Sequence, residues 1–152
     1  METTLNTSQS TATTTEVRFD HFCFEADDQQ SIILNYVALP ALLKTTKCKD
    51  VIDKIVAFVA LHMQVRERKT FMVHLFCKGM LVRDMAHHKT FMMQFAQMFK
   101  LTYPTELEVC YVHGAPVVFS SVYDLFRSIL PKESRDKIVI VKATDGNPNS
   151  IA

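Results

Sequence analysis

Apolar and polar positions along the chain alternate between a strand-like period of two and a helix-like period of three to four. Val17 to Phe24 is rich in strand formers and partly alternates, and Ser31 to Leu39 is almost continuously apolar up to Pro40. With the polar stretch from Glu25 to Gln30 between them, they predict a β-hairpin. Val51, Ile52, Ile55, Val56, Val59 and Met63 recur at helical spacing, with Phe58 and Leu61 widening the arc and Thr45 or Thr46 as cap. Phe71 to Cys77 reads as a strand apolar on both faces apart from His74, as expected for a strand covered by helices on both sides. After a turn at Gly79, a second helix is expected from Asp84 to Lys100. Met85, Met92, Phe95 and Phe99 form its stripe, Phe91 and Met98 lie beside it, and Tyr103-Pro104 ends it. Leu107 to Val112 is a fourth strand, His113 to Pro116 a sharp loop, and Val117 to Leu130 a third helix stopped by Pro131. A polar helical turn from Lys132 to Asp136 leads into a fifth strand, Ile138 to Val141.

This order predicts an α/β fold with a mainly parallel sheet, helices on both faces and an N-terminal β-hairpin. The folded domain spans residues 16–142. Nine of the first fifteen residues are Ser or Thr, too polar to offset their ordering entropy, so residues 1–15 are expected to be a disordered tail. Residues 143–152 are expected to be a flexible C-terminal tail.

Composition narrows the function. Seventeen basic against sixteen acidic residues leave a net charge of +1, with no basic surface for nucleic acid. Phe is 11 and Met is 8, while Trp is absent, so large and soft apolar side chains dominate. The only glycines are Gly79, Gly114 and Gly146, too scattered for a phosphate-binding loop or a nucleophile elbow. None of the six histidines has metal-ligand spacing, and the adjacent His87 and His88 diverge on a helix. No metal and no cofactor is expected. Cys23, Cys48, Cys77 and Cys110 form no C-x-x-C pair, and the N-terminus reads as neither signal nor anchor. Reduced thiols and a cytoplasmic protein are expected. Cys110 and His113 are the one imaginable nucleophile pair, but strand alternation sends them to opposite faces.

The helix from Val117 to Leu130 is unusual. Val118, Val122, Leu125, Phe126 and Ile129 fill one arc, and Phe119, Tyr123 and Leu130 start a second, which is more apolar surface than one core stripe needs.

From Tyr103-Pro104 through VCYVHGAPVVFSSVYDLFRSILPKESRDKIVIV the sequence resembles the CRAL-TRIO (Sec14-like) lipid-binding domain. The family's "N-A-P-x-x-F" loop corresponds to Gly114-Ala115-Pro116 with Phe119. Its "P-F-L" helix end corresponds to Ile129-Leu130-Pro131, and its "K-T-x-x-K-I" segment to Lys132 to Ile138. FMVHLFCKGM resembles the family's "V-x-x-D-x-x-G" strand, with Gly79 as its glycine. Gly114 stands where the family has Asn, and Cys77 or Lys78 where it has Asp, which marks a minimal or divergent, BCH-like member.

The resemblance implies a non-enzymatic module that binds or transfers a hydrophobic ligand, a phosphoinositide or other small lipid. The ligand would sit in a cavity gated by residues 117–130. The expected lining residues are Phe119, Val122, Phe126 and Ile129 on the gate and Phe95 and Phe99 facing it. The expected partners are lipid and a peripheral membrane surface, with a protein partner or a homodimer open and nucleic acid excluded. The location is cytoplasmic, peripheral on membranes. The alternative is a protein-interaction scaffold of the divergent CRAL-TRIO/BCH type without a bound lipid.

Overall fold

The computed structural model describes residues 18–79, 82–114 and 130–141, together with Asp124 and Arg127. Both tails lie outside these residues. So do most of the third predicted helix and the side chain of Met85.

Five strands form one sheet in sequential order: β1 (Cys23–Glu25), β2 (Ser31–Asn35), β3 (Phe71–Phe76), β4 (Leu107–His113) and β5 (Ile138–Val141). β1 and β2 are the expected antiparallel hairpin, and the three other pairings are parallel. Asp28 shapes the hairpin turn by accepting from the Gln30 and Ser31 backbone N–H groups.

The hairpin strands are shorter than the apolar runs suggested. Phe19–Phe22 is one helical turn, α1, and the chain leaves β2 through a 3-10 turn at Tyr36–Ala38 into a short helix, α2 (Leu39–Leu42). Pro40 therefore opens a helix rather than closing a strand, a position where its missing N–H costs nothing. The long helix α3 (Cys48–Val65) begins after Lys47, with no side-chain cap. Thr45 instead bonds back to the Leu42 carbonyl, and neither threonine caps α3.

Val51, Ile52, Ile55 and Val59 are buried on α3 as their spacing predicts, but Leu61 is exposed. His62, a polar residue in that stripe, is buried. The expected second helix is two: α4 (Val82–His87) and α5 (Lys89–Thr102), broken at His88. A short helix α6 (Lys132–Arg135) precedes β5.

Strand alternation and register divide the sheet into two faces. Ile32, Val73 and Cys110 align across β2, β3 and β4, as do Leu34, Leu75 and Val112. This face carries α3 and α5. Glu25 on β1 reaches His62 of α3, and Phe71 on β3 packs against Phe99 of α5. Ile33, His74 and Tyr111 align on the opposite face.

Gly114 ends β4 at φ +67°, and a Cβ there would lie 2.9 Å from the Lys78 backbone.

Candidate functional site

The apolar stripe of α5 is an aromatic ladder. Phe91, Phe95, Phe99 and Tyr103 follow one another at four-residue steps, with successive ring centroids 6.1, 4.4 and 5.6 Å apart. Phe71 anchors the lower end, 6.0 Å from Phe99 and 5.2 Å from Tyr103. The Tyr103 hydroxyl donates to the Val56 carbonyl at 2.7 Å, tying the ladder to α3.

A cavity of about 120 Å³ lies between this ladder and the sheet. Phe95, Ala96 and Phe99 form its helical wall, and Val73, Leu75 and Cys110 its floor. The two ends differ. Tyr36, Cys77 and Val112 close the inner end and are almost fully buried. Lys100, Ser134 and Lys137 stand at the other end, with no carboxylate among the described lining residues. Lys137 is held there because its backbone carbonyl accepts from the Cys110 N–H at 2.8 Å. One end is therefore greasy and enclosed, and the other is cationic.

The thiols along the floor are chemically quiet. Burial pushes Cys110 up to about 12 and Cys77 up to about 11. Cys110 shares a face with Val73, while His113 sits beside Phe76 on the other face. The geometry thus brings no nucleophile and base together here. Among the described residues no cluster of three metal-ligating side chains occurs.

Of the residues singled out from the sequence, Phe95 and Phe99 line the cavity. Phe119, Val122, Phe126 and Ile129 lie outside the described residues, though Leu130, at the end of that segment, also lines it. Asp124 and Arg127 are helical and exposed, 3.9 Å apart at their charged atoms, on the side that the pattern marked polar. Sequence reasoning missed Lys100 and Lys137. The lysine after the polar turn was in view as part of a motif, but its place at a cavity mouth depends on the pairing of β4 with β5.

A second polar pair lies on the opposite face. His74 Nδ1 and His113 Nε2 are 2.8 Å apart, stacked among Phe76 and Tyr111.

The model of the CRAL/TRIO domain matches residues 22–148. Among solved structures, the crystal structure of Sfh5 superposes with a TM-score of 0.53 at 22% identity, covering 72% of this chain and 42% of that one. The chain thus spans under half the length of that structural neighbour. No curated protein sequence matches it.

Proposed function

Because the chain belongs to the CRAL/TRIO domain family, whose members bind lipids, we propose that its cavity holds a lipid in a non-enzymatic binding or transfer role. The observation that carries this reading is the polarity of the cavity, whose described lining is apolar along its length with two lysines at one end. Such a shape suits an amphiphile whose tail lies along Phe95, Phe99 and Cys110 and whose anionic head, a phosphate in a phosphoinositide, faces Lys100 and Lys137.

Size limits the occupant. An engineered apolar cavity of about 150 Å³ takes benzene. The roughly equal space here takes one acyl segment, so a two-chain lipid needs further room. In this proposal residues 117–130 supply it by moving as the gate, with Phe119, Val122, Phe126 and Ile129 turned toward the ligand. The high thiol pKa values and the separation of Cys110 from His113 support a binding rather than a catalytic role. Among the described residues no helix is long and apolar enough to cross a membrane. As part of the same proposal, the protein meets membranes peripherally, from the cytoplasm.

Native mass spectrometry of the purified full chain tests the proposal. A lipid-sized adduct is expected. Ala96 lines the cavity, and Ala96→Phe should fill it and remove the adduct while the circular dichroism spectrum is kept. A clean mass for the parent after incubation with phosphoinositide and phosphatidylcholine would reject lipid binding and favour a scaffold.

A further inference from the structure

Leu101 is 77% exposed on α5, and Leu61 and Val65 are 57% and 60% exposed on α3. These are helix positions where a polar residue would cost nothing. The topology gathers them at one edge of the domain. α3 leads by a short link into the start of β3, and α5 leads by a short link into the start of β4. Val65 is six residues before Phe71, Leu101 is six before Leu107, and Phe71 pairs with Leu107. The starts of β3 and β4, which follow these helices, are further joined where Phe71 N–H donates to the Glu106 carbonyl at 3.0 Å. Leu61 lies one helical turn before Val65 on the same surface.

The lysine-bearing end of the cavity lies at this edge. Lys100 immediately precedes Leu101, and Lys137 immediately precedes β5. Arg68 and Lys69 lie in the link that follows α3. Glu67, Glu106 and Glu108 share the edge, and Glu108 meets Arg68 at 3.7 Å. Among the described residues no carboxylate is paired with Lys69, Lys100 or Lys137.

We propose that the edge formed by the C-terminal ends of α3 and α5 is a docking surface for an anionic bilayer, with Leu61, Val65 and Leu101 entering the interfacial layer and Lys69, Lys100 and Lys137 meeting lipid phosphates. The inference rests on the lipid reading of the cavity. It adds a physical reason for the location of the mouth. A lipid tail leaving a bilayer avoids water only if the cavity opens against that bilayer. Aliphatic side chains beside basic ones are the composition of an interfacial anchor, and each basic residue near an anionic leaflet adds attraction that salt screens.

The test is co-sedimentation of the full chain with phosphatidylcholine vesicles, with and without phosphatidylserine. The parent should bind the phosphatidylserine vesicles better, and added salt should weaken that binding. Leu101→Glu with Val65→Glu should bind at least about tenfold more weakly while keeping its fold and its cavity adduct in native mass spectrometry. Val37→Glu, at an exposed position on the 3-10 turn, should bind as the parent does. Equal vesicle binding by the double variant and the parent would overturn the docking surface and leave the cavity reading intact. So would a parent that carries lipid yet ignores vesicles. Loss of the adduct in the parent would instead remove the premise on which the surface rests.

Discussion

His74 on β3 and His113 on β4 share a single hydrogen bond, Nδ1 to Nε2 at 2.8 Å, on the sheet face turned away from the cavity. At least one ring must be neutral for the bond to form, because two imidazoliums are both donors. Burial holds both below the ordinary value of 6.5, and the neighbouring His74 lowers His113 further. Asp28, on the hairpin turn, acts in the opposite direction on His74.

This pair predicts a pH dependence of stability. Each folded-state pKa is depressed, so the unfolded chain binds more protons as pH falls. Stability is therefore fully present above 6.5 and is lost as pH drops through the lower folded values. His88, also lowered by burial, adds to the same slope. The melting temperature should fall between about pH 7.5 and about pH 5.5. His113→Phe, which keeps the stacking on Phe76, should flatten that fall, and an unchanged slope in the variant would show that the pair is not responsible.

Glu25 fastens the hairpin to α3. Its carboxylate accepts from His62 Nδ1 at 2.8 Å and from Arg66 Nε at 3.1 Å, and it makes a second contact with the Arg66 guanidinium. The Arg66 hydrogen bond holds the carboxyl below its usual range, against a smaller opposing effect of burial. Glu25→Ala would leave the buried His62 without its partner, a loss of about 1–3 kcal/mol in a urea titration. A loss below about 0.5 kcal/mol would mean that water replaces the carboxylate there.

The two described glycines should respond differently to alanine. Both have positive φ, +84° at Gly79 and +67° at Gly114. A Cβ at Gly79 meets nothing within 4 Å, so Gly79→Ala should cost only the backbone strain, about 1 kcal/mol. At Gly114 the Cβ lies 2.7 Å from Lys78 Cβ and 2.9 Å from its backbone, so β3 and β4 must separate locally. Gly114→Ala should therefore cost at least about 2 kcal/mol, measured by chemical denaturation of both variants. Equal costs would show that the Lys78 contact relaxes freely.

The cysteines should separate by reactivity. All four are free thiols, and Cys48 is half-buried at the start of α3. Burial raises Cys23 and Cys110 to about 12 and Cys77 to about 11. A thiol reagent at about pH 8 should label Cys48 of the native chain first and the other three only at the rate of opening. Early labelling of Cys110, read by peptide mapping, would mean that the cavity admits the reagent directly.

Local pattern was enough to establish most of the elements. The periodicity of Val51 to Val59 and the four-step aromatic spacing of α5 each require one wet and one dry side, which holds whatever the neighbours are. Phe95 and Phe99 belong to that apolar stripe, and both line the cavity. Local signals failed where tertiary packing outweighed propensity. The apolar run read as a strand from Ser31 to Leu39 turns helical at Tyr36 because Tyr36 and Leu39 reach the core that way, and Pro40 suits a first helical turn. The His74–His113 bond, the His62–Glu25 clasp and the lysines at the mouth join residues far apart in the chain. Their existence depends on strand register and on which face each helix covers. A shift of one residue would send every side chain of a strand to the other face, so only the assembled sheet could decide them.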